Sequence, residues 1–228
     1  MRYIATGVVL PERAAVRFDT ITASIPDKGT ITASCDASQL FVSVDIADLD
    51  GYVAAKLVAE QFAHVVVSAL GFSLGCHYSV EIVQVVEEPP AAHVFGVNVE
   101  NLTYHPHEPM FVRAYLLASE DLFFRLALRD YTRAITEAVD CPTYCFRAIE
   151  ALKSGFAFRG AADGWTAMHA ALGTDRDTIE NTVKRYADPI RHGNWIAAAS
   201  TTSATRNAML VLTRQILEGY MNHVRPAA

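Results

Sequence analysis

Residues 18–46 read FDTITASIPDKGTITASCDASQLFVSVDI, and this stretch decides the fold of the N-terminal half. Runs rich in Val, Ile, Thr and Phe alternate here with turn residues at Pro26-Asp27-Lys28-Gly29 and at Asp36-Ala37-Ser38. A two-residue period suits a strand with one buried face, and such runs joined by short turns predict antiparallel hairpins. Residues 2–17, with a turn at Pro11-Glu12, extend the same pattern towards the N-terminus.

A helical pattern follows these hairpins. Asp48 or Asp50 offers an N-cap, and apolar residues then recur near helical spacing, which predicts one amphipathic helix of about five turns across the sheet. These residues are Val53, Leu57, Val58, Phe62, Val65, Val66, Ala69 and Leu70. Residues 62–74 fall short of the ~20 clean apolar residues of a membrane span, so we expect no membrane segment. Further strands at 78–86 and 94–99 make the first half α+β.

The C-terminal half has helical spacing instead. Residues 104–109, with two prolines and no periodicity, are the best candidate for a boundary, so the sequence predicts parts at 1–108 and 109–228. Helices are predicted at 119–139, from Cys141-Pro142 to Gly155, after Asp163, after a capping box at Thr174-Asp175-Arg176-Asp177, and at 203–224. Helices of this number form an all-α helical bundle. The predicted fold class is therefore α+β, with an N-terminal antiparallel sheet and one main helix followed by that bundle.

Charge divides the chain in the same place. The net charge is −6, but residues 1–110 carry 5 Lys/Arg against 13 Asp/Glu, whereas residues 111–228 carry 14 against 12. Twelve of those 14 cations are arginine, whose planar fork suits phosphate and carboxylate contacts. RNA is thus one candidate partner of the second half. The acidic half could repel nucleic acid, orient the basic half or bind a cationic partner protein, and composition does not choose between these roles.

The four cysteines do not form a disulfide scaffold in a chain of this length. We expect no export signal, reduced thiols and a cytoplasmic location. Cys141 and Cys145 share a helical face and could, with Cys76-His77, complete a zinc tetrahedron, but the spacing is not a known zinc pattern. We favour the interpretation that the cysteines are small buried core residues, and we expect no metal and no cofactor.

The sequence also contains a motif of serine hydrolases. Gly71-Phe72-Ser73-Leu74-Gly75 matches the nucleophile elbow, which requires a strand before the serine and a helix after it. Here the predicted order is reversed, because a helix precedes Ser73 and a strand follows it. The glycines therefore predict a helix-to-strand turn, and Ser73 is expected to be structural.

Residues 184–195, KRYADPIRHGNW, carry the strongest chemical pattern. Arg185 and His192 are seven positions apart, which returns to nearly the same azimuth after two helical turns if Pro189 does not break the helix. A histidine can transfer protons near neutral pH, and an arginine can hold a phosphoryl group, so the pair suits attack by an RNA 2′-hydroxyl. Arg191, Asn194 and Lys184 are the supporting candidates for substrate binding.

Residues 115–225 resemble the HEPN superfamily, small helical-bundle domains of prokaryotic defence and toxin systems. The resemblance rests on helix order, on Phe146-Arg147-Ala148-Ile149-Glu150-Ala151-Leu152, and on the family's arginine-x4–6-histidine signature, which Arg185 and His192 match. It implies a metal-independent endoribonuclease in which Arg185 and His192 are catalytic and two such pairs meet across a homodimer. Many members are inactive, and for them the resemblance implies a non-catalytic sensor or protein-interaction module.

An ordinary structural role remains open for the same residues. Arg191 and His192 would cap a helix C-terminus, where cations complement the helix dipole, and Gly193 would end the helix in a left-handed conformation. A spatially isolated His192 would favour the sensor over the ribonuclease.

Overall fold

The chain divides into two units, residues 1–100 and 101–228, in the computed structural model, which describes residues 2–87, 91–94 and 108–224. We call them the sheet unit and the helical unit. The first holds an antiparallel sheet with one long helix, and the second is helical in its described part. The fold class is therefore α+β, as the sequence predicts.

Six strands form one antiparallel sheet in the sheet unit, in the order β2-β3-β4-β1-β5-β6. The central strand β1 pairs with β4 on one side and with β5 on the other. The predicted strand at 94–99 overlaps the sheet only at Val94, and residues 95–99 and 104–107 lie outside the described part of the chain. The strands are β1 (Arg2–Leu10), β2 (Phe18–Ile25), β3 (Gly29–Asp36), β4 (Gln39–Ile46), β5 (Ser79–Glu87) and β6 (Ala91–Val94).

The hairpin turns lie where the turn residues predict them. Asp27, between β2 and β3, has φ 58°, and Ser38, between β3 and β4, has φ 66°. Aspartate tolerates this left-handed region better than most residues. The buried Ser38 hydroxyl accepts a hydrogen bond from the Val16 N–H at 2.9 Å, which ties the second turn to the segment before β2.

The helix α1 (Gly51–Leu74) packs one face against the sheet. Ala55, Ala59 and Ala63 recur every fourth residue and are fully buried, so small side chains bring the helix close to the strands. The helix is longer than predicted, and by length and composition alone it could cross a membrane, with a mean hydropathy of 1.5. The alanine face of α1 belongs to the core of the sheet unit. Lys56 and Glu60, four positions apart on the same helix, form an ion pair.

Helix α4 lies at the centre of the helical unit, where it contacts α3, α5, α7 and α8. Its residues Cys145, Phe146, Ile149 and Leu152 are buried in the core. A π-helical segment, Glu180–Lys184, joins α6 to α7, and a 3-10 turn follows at Trp195–Ala197. The helices are α2 (Glu108–Glu120), α3 (Leu122–Thr136), α4 (Cys141–Phe158), α5 (Gly164–Leu172), α6 (Arg176–Ile179), α7 (Arg185–Arg191) and α8 (Ser203–His223).

The prediction of a single helix at 119–139 is wrong. Two helices occupy this region, because α2 ends before Asp121, and α3 begins after it and ends at Thr136. Asp121 is the N-cap of α3, and its Oδ1 accepts hydrogen bonds from the N–H groups of Phe123 and Phe124 at 2.8 and 3.1 Å. The helical spacing of apolar residues continues from α2 into α3, so the spacing does not reveal that Asp121 is an N-cap. The capping box at 174–177 is also shifted, since Asp175 caps α6 in place of Thr174.

The other carboxylate oxygen of Asp121 links three helices. It accepts hydrogen bonds from the Tyr220 hydroxyl at 2.8 Å and from the Arg159 guanidinium, which also donates to the Tyr220 oxygen at 2.6 Å. A Cβ at Gly155 would collide with that hydroxyl, so the network requires glycine there. The start of α3, the end of α4 and α8 are thereby joined by one buried carboxylate.

Candidate functional site

The Ser73 motif forms a helix-to-strand turn, which confirms its structural interpretation. Ser73 lies in the last turn of α1 and donates a hydrogen bond from its hydroxyl to the Leu70 carbonyl oxygen at 2.7 Å. Gly75 ends the helix with φ 66°, and β5 begins at Ser79. A nucleophile elbow needs the opposite order of elements, so this turn does not form one.

The cysteines are not arranged around a metal. Cys141 and Cys145 are buried side by side on α4, with their sulfur atoms 4.0 Å apart, whereas Cys76 is exposed in the sheet unit. The hydrogen bond with Cys145, together with burial, raises the pKa of the Cys141 thiol. Among the residues that the structure describes, no group of three or more His, Cys, Asp or Glu side chains is placed to hold a metal ion.

A cavity of about 570 Å³ lies in the helical unit between α4, α5 and the α6–α7 segment. Its lining combines aromatic rings, three cations, four carboxylates and two imidazoles, so the wall can contact both a planar group and a charged one. The lining residues are Phe146, Glu150, Asp163, Trp165, Thr166, His169, Arg176, Ile179, Glu180, Lys184, Asp188, Arg191 and His192.

One continuous helical segment forms a wall of the cavity. Residues 176–191 run from α6 through the π segment into α7, and Arg176, Glu180, Lys184 and Asp188 line the cavity at every fourth position. Arg176 and His192 are 16 positions apart, which corresponds to about 24 Å at the rise of an α-helix. The two residues therefore lie at opposite ends of this helical wall.

His192 stands at one end of the cavity, immediately after α7. The helix ends as the sequence predicts, with Gly193 at φ 72° and hydrogen bonds from Gly193 N–H to the Ile190 oxygen and from Asn194 N–H to the Pro189 oxygen. These bonds form a Schellman motif made by the backbone alone. No hydrogen-bonding partner of the His192 imidazole occurs in the described part of the chain, so the ring is free to meet a ligand.

Two of the predicted supporting cations line the same cavity, and both are paired with carboxylates. The Arg191 guanidinium lies 3.0 Å from the Glu150 carboxylate and 3.6 Å from that of Asp188, and it stacks on the Phe146 ring at 4.8 Å. The Lys184 ammonium donates to Glu180 at 2.8 Å, and its pKa is raised chiefly by that bond. Arg191 therefore lies near His192 at one end, with Lys184 towards the middle.

Arg185 and Asn194 lie outside the cavity lining. The Arg185 guanidinium donates to the Tyr186 hydroxyl at 2.8 Å and stacks over that ring at 4.7 Å. The Asn194 side chain caps the following 3-10 turn by accepting from the Ala197 N–H at 3.3 Å. The structure thus brings His192, Arg191 and Lys184 to one cavity and leaves the other two predicted site residues on the surface beside it.

An aromatic wall of the cavity was not predicted from the sequence. Trp165 stacks near Phe146 and near His169, with ring centroids 6.3 and 5.8 Å apart. The His169 Nδ1 lies 2.9 Å from the Thr174 hydroxyl, which fixes the ring orientation. The signal in the sequence was the pair of helix starts after Asp163 and Asp175, because short helices that begin close together in the chain face the same space.

Arg176, at the far end of the cavity, was likewise not predicted. It is exposed at the first position of α6, where the helix dipole disfavours a cation. Within residues 2–87, 91–94 and 108–224 its guanidinium has neither an ion pair nor a hydrogen bond. A local rule that is broken without a compensating contact is a common mark of a binding residue.

These features define an α+β protein of two units whose helical unit carries a long cavity of mixed charge. Residues 3–95 match the N-terminal domain, and residues 109–225 the C-terminal domain, of a family described as a domain of unknown function, DUF8168. The chain belongs to this family. No curated protein and no solved structure matches it.

Proposed function

We propose that the helical unit is a HEPN-like, RNA-acting domain that binds single-stranded RNA along the cavity and cleaves it without a metal ion. The observation that carries the proposal is the His192 imidazole in the cavity lining beside Arg191, where no described residue forms a hydrogen bond with it. A cytoplasmic protein of a prokaryotic defence or toxin system is the setting that the HEPN resemblance implies.

The chemistry follows from these two side chains. His192 takes the proton from a ribose 2′-hydroxyl as its oxygen attacks the adjacent phosphorus. The bond from phosphorus to the 5′-oxygen breaks, which leaves a 2′,3′-cyclic phosphate on one product and a 5′-hydroxyl, protonated from water, on the other. Arg191 exchanges part of its contact with Glu150 and Asp188 for the phosphate, whose charge grows during the attack.

The length of the helical wall supports a polymeric substrate. Residues 176–192 span about 24 Å, well past one nucleotide, and Arg176, which has no ion pair among the described residues, lies at the end of this wall remote from His192. A strand with its scissile linkage at His192 would place a distant phosphate at Arg176. Trp165 and His169, which are half-buried, line the cavity and offer rings on which bases can stack irrespective of sequence.

A pair of arginine variants on one helical segment tests this proposal. We expect Arg191→Ala to slow cleavage of single-stranded RNA in EDTA about 100-fold, a loss typical of one contact to a developing charge. Arg185→Ala removes the same charge six positions away, outside the cavity, and should leave the rate within about threefold of wild type. Equal losses in both variants, or a larger loss in Arg185→Ala, would contradict the assignment of the cavity as the active site.

A homodimer through the helical unit belongs to the same proposal. Helix α2 supports it, because Phe111 and Tyr115 are 71% and 62% exposed and lie one turn apart on an apolar face. Light scattering at tens of micromolar should report twice the chain mass, and Phe111→Glu should reduce that value. A monomeric wild type would contradict the dimer.

The second candidate function is a non-catalytic sensor of a small ligand. It is favoured by the four carboxylates Glu150, Asp163, Glu180 and Asp188, which outnumber the three cations of the lining and weaken its attraction for a polyanion. In that case RNA stays intact, and a small ligand that carries both charge signs raises the unfolding temperature. Cleavage lost in His192→Ala would exclude the sensor.

A further inference from the structure

Three arginines on α3 and α4 form a cluster outside the cavity, and two of them lie over one tyrosine ring. We call Arg129, Arg133 and Arg147 the arginine cluster. The guanidinium carbons of Arg133 and Arg147 lie 5.8 and 5.6 Å from the centroid of the Tyr144 ring. Arg129 and Arg133 are four positions apart on α3 and so share a face of that helix. The cluster therefore concentrates three guanidinium groups on one surface.

One carboxylate offsets these three charges. Asp130, whose side chain is 4% exposed, lies 3.3 Å from Arg147 and 3.7 Å from Arg129. Its Oδ1 accepts no hydrogen bond from the described part of the chain. The cluster keeps a net charge of +2, and its arginines are well exposed, with Arg129 at 52% and Arg147 at 41% of the side chain.

Within the described part of the chain, the only acidic partner of the cluster is Asp130, and most of its donors are left unused. None of the three guanidiniums donates a hydrogen bond to another described residue, and Arg133 has no ion pair in that part of the chain. Arg125, on the same helix, shows the contrast, since it donates to the carbonyl oxygens of Ala118 and Ser119 at 2.6 and 2.7 Å. Unused guanidinium forks favour a ligand rich in phosphate or carboxylate oxygens.

The cluster adjoins the His192 end of the cavity across α4. Arg147 follows the lining residue Phe146 directly and precedes Glu150, the ion-pair partner of Arg191, by three positions. At about 100° per residue, Arg147 and Glu150 are separated by about 60° on the helix surface, with one turn of rise between them. A strand leaving the cavity at its His192 end can therefore continue onto the cluster.

We propose that the arginine cluster binds the sugar–phosphate backbone of the single-stranded RNA whose scissile linkage lies at His192. This inference rests on the proposed function of the cavity. A nucleic acid presents phosphates at regular spacing and satisfies three separate guanidiniums, whereas one phosphorylated side chain satisfies one or two. Two of the guanidiniums lie near the Tyr144 ring, and an aromatic ring beside arginines is a common feature of single-strand binding sites.

The test uses a His192→Ala parent, so that the RNA stays intact while its binding is measured by the anisotropy of a labelled single strand. Arg133→Gln in that parent should weaken binding about tenfold, because one charge-assisted contact is lost. The slope of log affinity against log salt should also fall by about 0.7, the value for one phosphate on a single strand. Arg133 has no carboxylate partner, so its replacement should leave the circular-dichroism melting curve unchanged.

The control is Arg17→Gln in the same parent. Arg17 is exposed in the sheet unit and pairs with Asp36 at 2.7 Å, so its loss changes the net charge equally without touching the cluster. Arg133→Gln and Arg17→Gln with equal affinities and slopes would overturn the inference, as would a phosphopeptide that binds the cluster more tightly than RNA does. If either of these results is obtained but the wild type cleaves RNA, the proposed function of the cavity stands and only the role of the arginine cluster is lost. No RNA binding by the parent, together with no cleavage by wild type, would overturn both.

Discussion

Asp121→Ala should lower the free energy of unfolding of the helical unit by about 3 kcal/mol, from the loss of an N-cap and of a buried charge pair. The side chain of Asp121 is 5% exposed, and it accepts hydrogen bonds from the Tyr220 hydroxyl, the Arg159 guanidinium and two backbone N–H groups. Arg159 is 40% exposed and can return to water, which keeps the loss below the upper range for buried pairs.

A second N-cap provides the control for this prediction. Asp175 caps α6 by accepting from the Thr178 N–H at 2.7 Å, but it is exposed and belongs to no buried network. Asp175→Ala should therefore cost only about 1 kcal/mol. Urea denaturation followed by circular dichroism measures both, and equal losses in the two variants would show that the Asp121 network adds nothing beyond its cap.

The same carboxylate makes stability depend on acid pH. Burial acts to raise the pKa of Asp121, but hydrogen bonds from the Phe124 N–H, Tyr220 and Arg159 outweigh it and hold the pKa below the ordinary value. Its stabilising contribution is therefore complete above the unfolded-state pKa of about 3.9 and is lost as the pH falls through the lower folded value. Asp121→Asn, which carries no charge to lose, should show a shallower decline in stability over that window.

His192→Ala should reduce RNA cleavage by about 10²–10⁴-fold, the usual contribution of a proton-transfer residue. The fold should persist, because the Schellman bonds after α7 come from the backbone and the imidazole has no partner in the described residues. His77→Ala, an exposed histidine of the sheet unit, should cleave at the wild-type rate. An active His192→Ala with an unchanged rate would remove His192 from the mechanism.

The sheet unit could be predicted from the sequence because its signals are local. Two-residue alternation and turn residues such as Asp27 and Ser38 determine the hairpins within a few positions of each other. The order of the sheet was harder, since β1 pairs with β5 across more than 70 residues. The break at Asp121 was hidden because apolar spacing continues on both sides of a cap.

The site was predicted in part, for a physical reason. Gly193 ends α7 as expected, because the signals that end a helix lie in neighbouring residues of the sequence. His192 and Arg191, which stand at that helix end, both line the cavity. The helical angle between positions 185 and 192 predicted that Arg185 and His192 would lie together. The Arg185 guanidinium instead donates a hydrogen bond to the neighbouring Tyr186 hydroxyl. Trp165 and Arg176 are brought to the cavity by the packing of α5 and of the π segment against α4, and the helix starts after Asp163 and Asp175 are the only signal of it in the spacing along the chain.

The central claim, that this cavity cleaves RNA through the 2′-hydroxyl, is tested most directly by one cleavage assay in EDTA. The wild-type protein is given a single-stranded RNA and, in parallel, the same sequence with 2′-deoxyribose at every position. The account predicts that the RNA is cut to products with 2′,3′-cyclic phosphate and 5′-hydroxyl ends, while the deoxy strand stays intact. An uncut RNA, or a deoxy strand cut at the same rate, would contradict it.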